Sequence, residues 1–105
     1  MTSADSSEPD FTAFDRLVHE PARLVLLAHL AVVEEADFTF LQRATGLTGG
    51  NLSSHLKKLA AGGHIAIRKE FVNSKPVTFV KISAGGLEAL RRYRQEMLQL
   101  LELIP

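Results

Sequence analysis

The sequence predicts a mostly α-helical domain that carries one β-hairpin and ends in a long helix. Three observations predict it. Apolar residues recur at three- and four-residue spacing through much of residues 11–61. The period drops to two at Ile65 and Ile67, and again at Val80 and Ile82, on either side of a polar loop. Helical spacing then returns and runs to the C-terminus. With 105 residues, 46% hydrophobic and 23% charged, the chain suits one small soluble domain. Its longest uncharged apolar run, residues 24–33, is too short to span a bilayer.

Residues 1–10 are rich in Ser and carboxylates and are expected to form a disordered acidic tail. They lack the basic and apolar regions of a signal peptide. Phe11, Phe14, Leu17 and Val18 predict a short helix over residues 11–19. Pro21 fits the first turn of the next helix, where its missing N–H has no intrahelical partner anyway. Within residues 22–33, Leu24, Leu27, Ala28 and Ala31 form one stripe, with Val25, Leu26 and Leu30 beside it. That width predicts burial on most sides.

Residues 34–37 form a polar break in which Glu34 and Glu35 are an exposed pair, and Phe38 is placed for a short strand. Thr39, followed by Gln42, fits a capping box that opens a helix through Phe40, Leu41 and Ala44. Gly46 can end that helix in the left-handed conformation. Thr48 is the next N-cap; its helix buries Leu52, Leu56 and Leu59 and stops at Gly62 and Gly63. The hairpin follows, with residues 70–76 as its polar connection and residues 77–82 as its second strand. Ser83 caps a final helix over about residues 87–104, with Gly85 and Gly86 weakening its first turn.

Two short helices joined by a tight turn at Gly46 and Leu47 match a helix-turn-helix, whose second helix can enter a DNA major groove. A hairpin directly after it makes a wing. The fold class is therefore α+β, mostly α with a β-hairpin: a winged helix-turn-helix with a long C-terminal helix. Residues 1–10 are the tail, 11–86 the winged-helix DNA-binding domain, and 87–105 a dimerisation helix.

The charge pattern points the same way. Formal net charge is zero, but residues 1–40 carry −6, residues 41–94 carry +8 and the rest −2. A basic block suits an anionic partner, although a solvated face with accidental clustering has the same composition. At 100° per residue, Leu52, Leu56 and Leu59 share one arc of their helix. Gly50, Ser54, Lys57, Lys58 and Ala61 face away from it, with Asn51 and Ser53 on the flanks. No carboxylate occurs from Gly46 to Lys69. Asn51, Ser53 and Ser54 can bond base edges. Thr48, Lys57 and Lys58, with Arg68, Lys69 and Lys75 of the hairpin, are assigned to phosphates.

The segments His19-Glu20-Pro21-Ala22-Arg23-Leu24, Phe38-Thr39-Phe40-Leu41, Thr45-Gly46-Leu47-Thr48 and Leu52-Ser53-Ser54-His55-Leu56-Lys57-Lys58-Leu59 resemble the corresponding parts of ArsR-type repressors. Gly63-His64-Ile65 and the hairpin from Arg68-Lys69 to Lys81-Ile82-Ser83 resemble their strand and wing. Over about residues 14–92 the chain is similar to small MarR/ArsR-like winged helix-turn-helix regulators. The resemblance implies a dimeric bacterial or archaeal transcription regulator, with recognition residues Gly49, Gly50, Asn51, Ser53, Ser54 and His55. Where many relatives carry larger side chains, this chain has Gly49 and Gly50, so direct base contacts are expected to be few. The familiar metal sites are not expected either. Residues 34–42 lack cysteine and residues 87–105 lack histidine. The flanking helices are shorter than those that cover a MarR effector pocket, so no effector is implied.

No cysteine occurs anywhere, which excludes disulfides and thiolate metal sites and suits a reducing, cytoplasmic setting. His19, His29, His55 and His64 are scattered, and no catalytic triad or phosphate-cradling motif is evident. The expectation is a homodimer on duplex DNA, a repressor by family likeness, with no enzymatic activity, cofactor, metal or membrane partner. A winged-helix adaptor for protein contacts is the alternative, and an enzyme a distant third. Phe11, Phe14, Tyr93, Met97, Leu100, Leu101 and Ile104 are the expected dimer contacts, because the last helix carries more apolar surface than one small domain needs.

Overall fold

The computed structural model describes residues 14–105. Its elements run α1 (Pro21–Val33), β1 (Glu35–Asp37), α2 (Phe38–Thr45), α3 (Gly49–Ala61), β2 (Ile65–Val72), β3 (Lys75–Ile82) and α4 (Ala84–Leu101). The strands form one antiparallel sheet in the order β1-β3-β2. The expected tail and Phe11 lie outside the described residues.

The helix expected over residues 11–19 is, in its described part, a single closed turn. Asp15 organises it: its carboxylate accepts from the Leu17 N–H at 2.9 Å, and its carbonyl accepts from those of Val18 and His19. Glu20 then turns extended, at φ −153° and ψ 128°, as a residue before proline prefers. Pro21 opens α1 as expected, and the Glu20 carboxylate caps it by accepting from the Arg23 N–H at 2.8 Å.

Burial of α1 on most sides is not what forms. Leu26, Leu27 and Leu30 are fully buried, but Val25, Ala28 and Val32 lie exposed on another stripe. The other elements pack against one side of the helix, and no described element covers that stripe.

The short strand also differs from the expectation. It occupies the polar break, pairing Glu35 with Lys81, Ala36 with Val80 and Asp37 with Phe79. Phe38 instead begins α2. The N-cap is Asp37, which accepts from the Phe40 N–H at 2.7 Å, and Thr39 lies inside the helix. Pairing with β3 holds Asp37 extended, so the helix starts immediately after it. Gly46 ends α2 at φ 72° and Thr48 caps α3 through the Asn51 N–H, both as expected.

The wing is longer than the sequence pattern suggested. Only Asn73 and Ser74 form its turn, both at positive φ (52° and 66°), the signature of a two-residue type I′ connection. Glu70, Phe71, Val72, Lys75 and Pro76 therefore belong to strands. Pro76 is tolerated because β1 pairs only as far as Phe79, leaving one flank of β3 open there.

Helix α4 starts at Ala84 rather than near Leu87, with the Ser83 hydroxyl accepting from the Gly86 N–H at 2.9 Å. Gly86 is required by packing: a Cβ there would run into the His64 backbone carbonyl. Regular α-helix stops at Leu101, before the expected Ile104. The core joins Val18, Leu26, Leu27, Leu30, Leu41, Leu52, Leu56, Leu59, Ile65, Val80, Ala89 and Tyr93. Among the described residues, no helix is long and apolar enough to cross a membrane.

Candidate nucleic-acid interface

Helix α3 is fastened from behind. Leu52, Leu56 and Leu59 are buried, which fixes its rotation and leaves Gly50, Asn51, Ser54, Lys57, Lys58 and Ala61 exposed. Ser53 and Gly49 are half-buried at the flanks. The Thr48 hydroxyl holds the first turn by accepting from the Asn51 N–H at 3.1 Å. The α2–α3 turn is fixed by Thr45, whose hydroxyl donates to the Leu41 carbonyl at 2.7 Å and accepts from the Leu47 N–H.

Gly49 and Gly50 have no steric reason within the chain. A Cβ at Gly50 would meet nothing within 4 Å, and one at Gly49 would make an ordinary contact with Gln42. Glycine in a helix is less stable than alanine by up to about 1 kcal/mol. Two such residues at the exposed start of α3 leave its backbone open to close approach from outside.

The expected cations divide into two sets. Lys57, Lys58, Lys69 and Lys75 are exposed and form no ion pair among the described residues. Arg68 is engaged otherwise. Its guanidinium donates to Glu35, 3.2 Å away, and to Glu70, and lies 4.5 Å from the centre of the Phe79 ring. The hydrogen bond to Glu35 does most to raise its pKa; loss of solvent opposes it, and the Glu70 and Glu35 charges add to the rise. Glu35 is correspondingly not a free loop carboxylate.

His55 is also placed apart from the outer row. Its Nδ1 lies 3.2 Å from an Arg23 Nη and 3.9 Å from the Glu20 carboxylate. Arg23 additionally donates to the Leu17 carbonyl at 2.7 Å. One arginine thus ties α3 to the start of α1 and to the turn before it. Burial works against the Glu20 charge, but the Arg23 N–H and the nearby His55 and Arg23 charges hold its pKa below the usual carboxylate range.

Two features were not singled out from sequence. Arg43 is an exposed cation in the last turn of α2, on the approach to α3. The Glu20–Arg23–His55 cluster joins residues up to 35 positions apart, and no local pattern announces it. Among the described residues, no three His, Asp or Glu side chains group to hold a metal ion.

Of the expected dimer contacts, Tyr93 lies inside the chain's own core, burial raising its pKa, and shares a 2.7 Å hydrogen bond with His19 Nδ1. Phe14 packs on that pair, with its ring centre 5.6 Å from that of Tyr93. Met97 and Leu100 are half-buried, whereas Leu98, Leu101, Leu103 and Ile104 are exposed. Met97 and Leu98 border an open groove of about 310 Å³ that runs between α4 and the Leu24 and Ala28 side of α1.

Comparison with known proteins fits this architecture. Residues 22–101 match the family model described as a winged helix DNA-binding domain. The chain is 34% identical over 85 residues to an uncharacterized protein, MJ0432, of Methanocaldococcus jannaschii, covering 81% of this chain and 92% of that one. A transcriptional regulator homologue from Pyrococcus horikoshii superposes with a TM-score of 0.79 at 27% identity, over 84% of this chain and 87% of that one. A MarR family regulator from Silicibacter pomeroyi shares the fold with a TM-score of 0.63 at 21% identity, over 80% of this chain and 56% of that one. The chain belongs to the winged helix DNA-binding domain family.

Proposed function

We propose that the protein is a transcription regulator that binds duplex operator DNA as a homodimer, with α3 in the major groove and the β2–β3 wing beside it. The observation that carries this reading is the outer face of α3: small, polar and basic, with no carboxylate and no internal reason for its glycines. Asn51, Ser53 and Ser54 read base edges, and Gly49 and Gly50 let the helix come close. Thr48, Lys57, Lys58, Lys69 and Lys75 hold phosphates, and Arg43 joins them. Arg68 contributes through its pairing with Glu35 and Glu70 to the rigidity of the wing. His55 positions α3 through Arg23 instead of reading bases. The apolar end of α4 and its groove against α1 pair the two copies. A domain that occupies duplex DNA excludes other proteins from it, which makes repression the simplest regulatory outcome.

Fluorescence anisotropy on selected and scrambled duplexes at several salt concentrations tests the reading. A dimer making about 6–10 phosphate contacts loses affinity steeply as salt rises. Lys58→Ala weakens all duplexes alike and flattens the salt dependence. Asn51→Ala lowers affinity for the selected site by about 1–3 kcal/mol and spares scrambled DNA. A folded protein that binds neither duplex at low salt leaves the adaptor reading in its place.

A further inference from the structure

Phe71 is 78% exposed at the far end of the wing, two residues before the turn. Its strand partner is Pro76, so the tip carries a small apolar edge that the fold itself does not use. Alternation along β2 sets Lys69 and Phe71 on the side of Ile65 and Ile67, the first of which is buried in the core. That is the side on which the sheet meets the helices, α3 among them.

The charge around the tip suits one kind of partner. From Phe71 to Pro76 there is one cation, Lys75, and no carboxylate. Lys69 adds a second cation on the Phe71 side, and the neighbouring Glu70 is turned to Arg68, which it shares with Glu35. Spacing agrees with it. The arm from Ile67 to Val72 reaches about 17 Å at the usual rise of a strand. Half a helical turn of B-DNA is also about 17 Å. With α3 in a major groove, an arm of that length is long enough to reach the adjoining minor groove, which is about 6 Å wide and is bordered by phosphates on both sides. The two-stranded ribbon itself is wider than this, so what can enter is the projecting edge of the tip, the exposed Phe71 ring beside Pro76.

Building on the DNA-binding reading above, we propose that Phe71 and Pro76 form an apolar wedge that enters this minor groove and partly unstacks one base step. Lys69 and Lys75 hold the bordering phosphates. Such a wedge selects by deformability: a flexible pyrimidine–purine step opens more readily than a stiff A-tract. The wing then confers sequence preference without a hydrogen bond to any base.

The test uses the full chain and the duplex it selects from a random pool, with 2-aminopurine placed at successive steps flanking the α3 site. Wild type brightens the probe at one flanking step, and Phe71→Ala abolishes the signal. Phe71→Ala also lowers affinity about tenfold while leaving the salt dependence unchanged, because no phosphate contact is lost. Phe71→Leu keeps part of both effects. Replacing the flanking step with an A-tract weakens wild type and leaves Phe71→Ala unaffected. Failure of wild type to bind any duplex overturns the DNA reading, and the wedge with it. Binding by wild type that Phe71→Ala does not alter overturns the wedge alone. So does a Phe71→Ala protein that binds DNA normally but changes its mass by light scattering, which assigns the tip to contact between copies.

Discussion

Single residues separate stability from recognition in this chain. Gly50→Ala adds a methyl group to open space on a helix, so it raises stability by up to about 1 kcal/mol. On the proposed DNA reading the same methyl group would stand between α3 and a base edge, so affinity for the selected duplex is expected to fall. Thermal melts and anisotropy on the same preparation check both outcomes. Gly86→Ala acts in the opposite sense on stability. Its Cβ meets the rigid His64 carbonyl, and displacing α4 destabilises the protein by about 1–3 kcal/mol in denaturant titration. Glu20 supplies a pH dependence. Its pKa is lowered by folding, so its contribution is present above the unfolded value and is lost as pH falls through the folded one. Melts between pH 3 and 7 are expected to show this acid-side loss, and Glu20→Gln to flatten it while retaining a capping acceptor. Thr48 was legible as a cap because capping is a local matter of one hydroxyl and the N–H three residues on. The role of His55 was not, because its partner Arg23 arrives from 32 positions away.

At the level of elements, the helix-turn-helix was the most legible part. Leu52, Leu56 and Leu59 mark the buried face of α3 by spacing alone, and Gly46 marks the turn before it. The start of α2 was less legible: Asp37 and Thr39 both satisfy the capping rule. Pairing of Asp37 with Phe79 chose between them, and this contact spans the whole helix-turn-helix and hairpin. The wing was read too short because Glu70, Asn73, Ser74, Lys75 and Pro76 look like loop residues. A tight type I′ turn needs only two of them, and the others close the ladder. Helix α4 carries the element-scale prediction. Its first half is committed to the core through Ala89 and Tyr93, while Leu98 and Leu101 remain exposed near its end. On the proposed dimer, Leu101→Glu is therefore expected to leave the monomer fold intact and to weaken association by a few kcal/mol. Light scattering at micromolar concentration is expected to give about twice 11.5 kDa for wild type and a lower mass for the variant. A wild-type monomer with full DNA affinity removes the two-fold arrangement.

Across the whole molecule, the fold redistributes the charges that the sequence lays out in blocks. Among the described residues, acidic groups from the first 40 positions meet the basic middle. Asp15 meets His64, Glu20 meets Arg23 and His55, and Glu35 meets Arg68. Lys57 and Lys58 on α3 and Lys69 and Lys75 on the wing are exposed and in no ion pair among the described residues, as are Arg43 on α2 and Arg91 and Arg94 on α4. Binding is therefore expected to respond to salt through the lysines of α3 and the wing, with Arg68→Ala acting mainly through wing stability. Denaturant titration beside anisotropy distinguishes the two. Metal is not expected to enter this balance, since the sequence has no cysteine and no close pair of histidines. Dialysis against a chelator is expected to leave both the melt and the duplex affinity unchanged, and restoration of lost binding by zinc counts against that.

Sequence by itself determined the elements whose signals are local: the helical spacing of α1 and α4, the buried stripe of α3, the caps at Thr48 and Ser83, the left-handed stop at Gly46 and the period-two wing. It also determined the carboxylate-free outer face of α3, because burying three leucines on a helix settles which residues point outward. Tertiary structure alone decided which of the apolar side chains on α1 were covered, where β1 formed, why Gly86 is needed, and which cations were neutralised. Those outcomes depend on surfaces brought together from distant parts of the chain. Residue spacing records which side chains share a face, whereas Arg68, Glu35 and Phe79 meet only when the sheet has paired.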